Sequence, residues 1–263
     1  MITVHDSKAS FPYRRFILAV ILLLPMTAVL AQALEPLLEA QSDGSAPPQF
    51  AADEYRERRE EMVREQIQDR GVDDAAVLTA MQRVPRHEFV PPQLEGRAYE
   101  DGPLPIGHGQ TISQPYIVAY MTEMLELSPQ DRVLEVGTGS AYQAAILAEI
   151  VERVVSIEII RPLGVSAAER LRALGYGNVT VLAGDGYYGR PEGAPYDAII
   201  VTAAASHVPP PLTAQLKPGG RMAIPVGAHA WTQNLLLVEK GRDGDIATRN
   251  LLPVAFVPLT GGH

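Results

Sequence analysis

The sequence predicts an α/β protein built on a doubly wound, mostly parallel sheet. Three observations carry this reading. Short apolar runs recur at 132–136, 154–159, 179–183, 198–202 and 221–225, each too short for a helix. Stretches of helical periodicity separate the earlier ones, the alternation expected of βαβ units whose strands are buried on both faces. The first run also ends in a glycine turn, Val136-Gly137-Thr138-Gly139, where a strand gives way to a helix.

The chain has 263 residues, 46% of them apolar, which is enough for one sizeable core. A net charge of −9 argues against a broad nucleic-acid surface, which needs clustered Lys and Arg. The absence of Cys removes disulfides, thiolate nucleophiles and Cys-ligated zinc. The His residues form no HExxH, so no metal is expected.

Taken in order, residues 1–33 stand apart. Arg14 and Arg15 precede an uncharged run from Phe16 to Leu34 that contains Ala31-Gln32-Ala33, the layout of a secretory signal peptide. A run of roughly 18 residues also suffices for a single membrane anchor. A translation start at Met62 is the third reading. Residues 34–53 read as a flexible linker. The folded domain spans 54–263, with N-terminal helices and a loop over 54–115 and a ligand-binding core over 116–263.

A helix is expected over 54–69, and a second, capped by Asp73 or Asp74, runs to Val84 before Pro85 ends it. The Pro- and Gly-rich stretch 85–113 reads as structured loop, followed by a helix from Pro115 to about Leu127. Helices follow at 142–150 and 162–174, the latter closed by Gly175. Leu235–Glu239 is a further strand, and Leu252–Leu259 another. Asp197 reads as structural, closing a turn after Pro195.

The glycine turn marks a ligand site, because glycine lets backbone approach a ligand and open α/β sheets bind at the carboxyl ends of their strands. A dinucleotide site would want G-x-G-x-x-G, but Tyr142 stands where the third glycine belongs. Glu135, just before the loop, would repel a phosphate and suits the amino group and sulfonium of S-adenosylmethionine. Glu158 ends the second strand, at the spacing where a carboxylate meets ribose hydroxyls. Asp185, in Ala183-Gly184-Asp185-Gly186, is placed to accept from an adenine amino group.

Residues 103–115, Pro-Leu-Pro-Ile-Gly-His-Gly-Gln-Thr-Ile-Ser-Gln-Pro, closely resemble the signature of the protein-L-isoaspartate O-methyltransferases. Val84-Pro85-Arg86-x-x-Phe89-Val90, Glu135-Val136-Gly137-Thr138-Gly139-Ser140, Asp197 to Ala204, Ile224-Pro225-Val226-Gly227 and Phe256-Val257-Pro258-Leu259 agree with it. The resemblance covers roughly 55–263 and leaves 1–53 outside.

It implies a class I methyltransferase (Rossmann-like) sheet with added N-terminal helices, S-adenosylmethionine as cofactor, and isoaspartyl proteins and peptides as substrates. By resemblance Ser113 is the active-site serine. Gly137, Gly139, Glu158, Asp185 and Gly186 match cofactor positions, with Glu135 added from its place before the loop. Ile106, Gly107, Thr111, Ile112, Pro225 and Val226 fall in the two segments that would hold the peptide, largely through backbone. Ala141 departs from the family, replacing a glycine of G-T-G-S-G-Y; the extra methyl narrows the loop without having to block it. His108 occupies a variable place and receives no role.

A monomer is expected, with no nucleic-acid partner and membrane contact only through an uncleaved N-terminus. The export signal places the chain in the periplasm or on a membrane; the family and the supply of cofactor point instead to the cytoplasm. Methylation of another carboxylate, or an inactive binding module on the same fold, are the rival functions.

Overall fold

The computed structural model describes residues 54–229 and 232–262; the expected signal or anchor segment and the linker lie outside them. At the N-terminal side, helix α1 (Arg56–Glu61) runs on through a wider turn at Met62–Ile67 and a tight one at Gln68–Arg70. Gly71, at φ 91°, closes it. Helix α2 (Ala75–Arg83) starts on Asp74, whose carboxylate accepts from Val77 N at 2.9 Å. It stops where Val84 turns extended ahead of Pro85, a residue type that disfavours helix before it.

The stretch expected as loop contains two tight helical turns and a hairpin of β1 (Leu104–Gly107) and β2 (Gln110–Ile112). Three successive residues, Gly107, His108 and Gly109, adopt positive φ at its tip. Glycine accepts that without penalty, and this is how so short a hairpin closes. Helix α3 (Pro115–Glu123) follows with Pro at its first turn and ends earlier than the sequence suggests.

The main sheet holds β3 (Arg132–Val136), β4 (Arg153–Glu158), β5 (Val179–Ala183), β6 (Tyr196–Val201), β7 (Leu216–His229), β8 (Thr232–Lys240) and β9 (Ile246–Val254) in the order β5-β4-β3-β6-β7-β8-β9. The pairings from β5 to β7 are parallel, and β8 and β9 add antiparallel. The chain walks outward from β3 to β5 and then crosses back to β6. β3 and β6 are therefore neighbours whose connections leave in opposite directions, which opens a crevice at their carboxyl ends.

Both faces are covered. Val133, Ala198 and Ile200 pack into one apolar core with α4 (Tyr142–Ala148) and the N-terminal helices. Leu134, Ile199 and Val201 pack into the other, with Leu212 of α6 (Pro210–Gln215). Alternate residues facing opposite cores explain why these strands read as unbroken apolar runs. Helix α5 (Arg161–Ala173) joins β4 to β5.

Two expectations shift. Asp197 lies inside β6, where its carboxylate accepts from Arg132 N at 3.0 Å and Lys217 Nζ at 2.5 Å. The last strand spans 246–254 instead of 252–259, and the tail beyond it pairs at Pro258 with Ala204, after β6. Helix α6 was not foreseen. Among the described residues no helix is long and apolar enough to cross a membrane.

Candidate active site

The turn after β3 is set by steric clearance. Gly137 has φ 98°, and a Cβ on it would sit 2.5 Å from Thr202 Oγ1. That hydroxyl donates to Gly137 O at 2.5 Å, and the N–H of Gly137 donates to Ile157 O at 2.9 Å. A Cβ on Gly186 would run into Val136. Any side chain at either position would therefore have to displace a wall of the crevice.

Glu158 ends β4 and is 5% exposed. Its two oxygens accept from Gly139 N and Ile160 N, each at 2.8 Å, so the carboxylate braces the loop it faces. Each oxygen keeps a second lone pair. Asp185 accepts from Tyr187 N and, through its other oxygen, from Gly262 N, both at 3.0 Å.

Glu135 does not reach the crevice, which corrects the expectation of a direct contact with the cofactor. Its side chain is fully buried and accepts from Ser156 Oγ, which in turn bonds Thr138 Oγ1 at 2.5 Å. Among the described residues its other carboxyl oxygen has no hydrogen-bond partner. Burial pushes the acid up to about 8; the Ser156 bond opposes this and nearby Glu158 adds to it. Glu135 thus supports the turn from behind, through Ser156 and Thr138.

Two hollows meet here. A narrow crevice is lined by Gly137, Gly139, Glu158, Gly186 and the tail residues Pro258 and Leu259. A cavity of about 480 Å³ is lined by Ser113, Gln114, Ile117, Val254 and Phe256 among others. Thr111, Thr202 and Val257 border both. Ser113 precedes α3, but its hydroxyl does not cap that helix: the N-cap residue is Gln114, with no side-chain cap bond.

The expected peptide-holding residues stand differently against these two hollows, and Thr111 lines both. Alternation along β2 turns Thr111 outward and Ile112 into the core, at 3% exposure. Ile106 stands close to Gly139 without lining either hollow, and Gly107 sits at the hairpin tip. Pro225 and Val226 line neither; Pro225 O accepts from Ala205 N at 3.0 Å, and Val226 pairs with Ala205. They hold the loop after β6.

Thr202 and the 254–257 segment were missed as site residues. A polar residue ending an apolar run was the available signal for Thr202. Ala141, at φ 72°, is fully buried within the core. Its methyl does not narrow the crevice, and the departure from glycine strains the backbone instead.

The crevice carries features that an adenosyl site needs: glycines where a Cβ has no room, and a strand-end carboxylate with lone pairs to spare. Comparison with known proteins agrees. The family profile of protein-L-isoaspartate(D-aspartate) O-methyltransferase matches residues 57–263. A Nitrosospira multiformis protein-L-isoaspartate O-methyltransferase 1 is 61% identical over 216 residues, covering 81% of this chain and 92% of the relative. A Cupriavidus necator relative of the same name is 56% identical and covers 92% of this chain and 93% of its own length, so that likeness reaches into the residues before Asp53. A solved protein-L-isoaspartate O-methyltransferase superposes with TM-score 0.69 at 32% identity, over 78% of this chain and 66% of that one. A Plasmodium falciparum structure assigned to the same activity, with S-adenosyl-L-homocysteine bound, gives 0.67 at 26%, over 77% and 98%. With the profile spanning nearly all of the described domain and these relatives matched almost end to end, the chain belongs to the protein-L-isoaspartate(D-aspartate) O-methyltransferase family of S-adenosylmethionine-dependent enzymes.

Proposed function

We propose that this chain methylates the free carboxylate of isoaspartyl residues in damaged proteins and peptides, forming the ester that begins their repair. The single observation that carries the reading is the meeting of crevice and cavity at Thr111, Thr202 and Val257. S-adenosylmethionine, when bound, supplies a methyl group on a positively charged sulfur. Gly137, Gly139 and Gly186 would admit it, Glu158 would accept from its ribose hydroxyls, and Asp185 would accept from its adenine amino group.

An isoaspartyl carboxylate has an unperturbed pKa of roughly 3 to 4 and is ionised at neutral pH, so no general base is needed. The chain's task is orientation and exclusion of water. Ser113 donates its hydroxyl to the carboxylate from the cavity side, and Phe256 and Ile117 provide apolar wall. The purified protein is expected to methylate an isoaspartyl peptide far faster than the matching aspartyl peptide; equal rates on the two would sink the reading.

The remaining parts of the proposal concern residues 1–53 and association. Residues 1–33 direct export and are removed, which leaves 34–53 as the mature N-terminus of a monomeric domain. The arginine pair, the uncharged run and the A-x-A pattern support this, as does a relative whose likeness enters the segment. Mass spectrometry of the native N-terminus tests it. A terminus at Gln32 or Leu34 is expected, and one at Met62 would overturn it.

A further inference from the structure

We propose that Arg86 is a positioning residue for the substrate carboxylate, acting through Ser113. The argument rests on the isoaspartyl reading above. Arg86 opens the tight turn after Pro85 and is fully buried. Its Nε donates to Ala98 O and its Nη2 to Ser113 O, both at 2.7 Å. The guanidinium carbon lies 4.8 Å from the ring centroid of Tyr142, the first residue of α4 after the glycine turn. One side chain therefore joins the N-terminal region, the active-site serine and the helix that opens at the cofactor loop.

A bare structural role accounts poorly for this choice. A buried cation is expensive unless paired, and among the described residues Arg86 has no carboxylate partner while its Nη1 has no hydrogen bond. An apolar side chain of similar length would fill the same space without that cost. What an apolar chain cannot do is pin the Ser113 carbonyl. A trans peptide directs its C=O and N–H to opposite sides, so holding Ser113 O inward turns the Gln114 N–H outward. Ser113 and Gln114 both line the substrate cavity. The guanidinium thus fixes a peptide plane whose outer side carries donors for a carboxylate. Lysine keeps the charge but has no planar fork to hold two carbonyls at once.

The test uses the full chain and four proteins: wild type, Arg86→Lys, Ser113→Ala and the double variant. Cofactor affinity is measured by calorimetry, kcat and KM with an isoaspartyl peptide, and amide hydrogen exchange over 111–116. Arg86→Lys is expected to keep cofactor affinity within about twofold and lose about tenfold to a hundredfold in kcat/KM for the peptide. In the Ser113→Ala background the same change should cost clearly less than in wild type, since both act on one peptide plane and only the Gln114 N–H is left to misplace. Exchange over 111–116 should quicken while β3 and β6 stay protected. Additive losses, or an Arg86→Lys enzyme within about threefold of wild type, would overturn the assignment. If wild type itself fails to methylate the peptide, the functional reading falls, and unchanged exchange over 111–116 still decides against Arg86. Arg86→Met replaces the lysine variant if that does not fold. Loss of fold in both would show that the arginine serves the whole domain and not the serine.

Discussion

The crevice proposed for the cofactor and the cavity proposed for the substrate share a border but are held together by different means. The crevice is held by close backbone packing. Gly137 and Gly186 sit where a Cβ would strike Thr202 or Val136, and Glu158 braces two backbone N–H groups of adjoining turns. The cavity is held by side chains reaching across from other segments. Arg86 grips Ser113 O, Asp101 accepts from Gln114 Nε2 at 2.7 Å, and Gln233 both accepts from Phe256 N and donates to Phe256 O. Backbone packing tolerates almost no change, whereas anchors reaching across can be altered one at a time. Damage to the crevice should therefore appear in fold and cofactor together, and damage to the cavity in turnover alone.

The largest effect expected on the crevice side concerns Glu135 and pH. Its folded pKa stands near 8 because of burial, above the ordinary carboxylate value, so the native chain holds a proton that the unfolded chain releases. Stability should therefore fall as pH rises from about 4.5 to about 8, and level off beyond. Glu135→Gln abolishes that fall. At pH 8 it should be more stable than wild type by a few kcal/mol, since each tenfold change in proton affinity is worth about 1.4 kcal/mol, with the advantage gone near pH 4. Urea unfolding at several pH values measures this, and parallel curves for the two proteins would contradict it.

Next comes Gly137→Ala. A left-handed φ and a contact with Thr202 act together, and a destabilisation of roughly 2–3 kcal/mol is expected, with a matching loss of cofactor affinity. A thermal melt and a cofactor titration on one preparation check both. An intact crevice in this variant would remove the basis of the comparison.

Glu158→Ala and Ser113→Ala sharpen the contrast at smaller cost. The first removes charged hydrogen bonds on the cofactor side, worth roughly 1.5–3 kcal/mol, so cofactor affinity should drop about tenfold or more. The second should lower methyl transfer by about tenfold and leave cofactor affinity alone. If Ser113→Ala weakens the cofactor as much as Glu158→Ala does, the two hollows are not separate in the way described.

The same division governs how much was legible in the sequence. The buried strands, the glycine turn and Glu158 were readable because each obeys a local rule: apolar runs for strands covered on both faces, glycine where backbone crowds, an acid at a strand end. Glu135 obeyed the same local pattern, but an interior carboxyl and a ligand-facing one look identical before burial is known. On the cavity side, local rules fall short. Thr111 and Ile112 differ by one step of a three-residue strand, and a single step reverses which of them faces the site. Pro225 and Val226 belong to the signature, and their pairing with Ala205 is a long-range contact that no local pattern announces. Strand β9 is mostly exposed over its first half, so no apolar alternation announced it, and its expected position slid toward the tail. Helix α6 hides behind successive prolines, which read as loop although proline suits a first helical turn.

The smallest effect expected is Ala141→Gly. The alanine holds a left-handed φ of 72°, which glycine accepts freely, so the change should raise stability by about 1 kcal/mol without altering kcat. A melting curve that moves down would mean that the buried methyl contributes more than its backbone strain removes.

The hydrogen bond from Gly262 N to Asp185 has a practical consequence for handling the protein. It ties the last described residue of the chain to the carboxylate beside Gly186, and the residues just before it, Pro258 and Leu259, form one side of the crevice. A purification handle, a fluorophore or a surface linker inserted close to Gly262 would sit beside that connection, and a cofactor titration would then report the handle along with the protein. Attachment ahead of Asp53 leaves the carboxyl-terminal wall as the sequence made it.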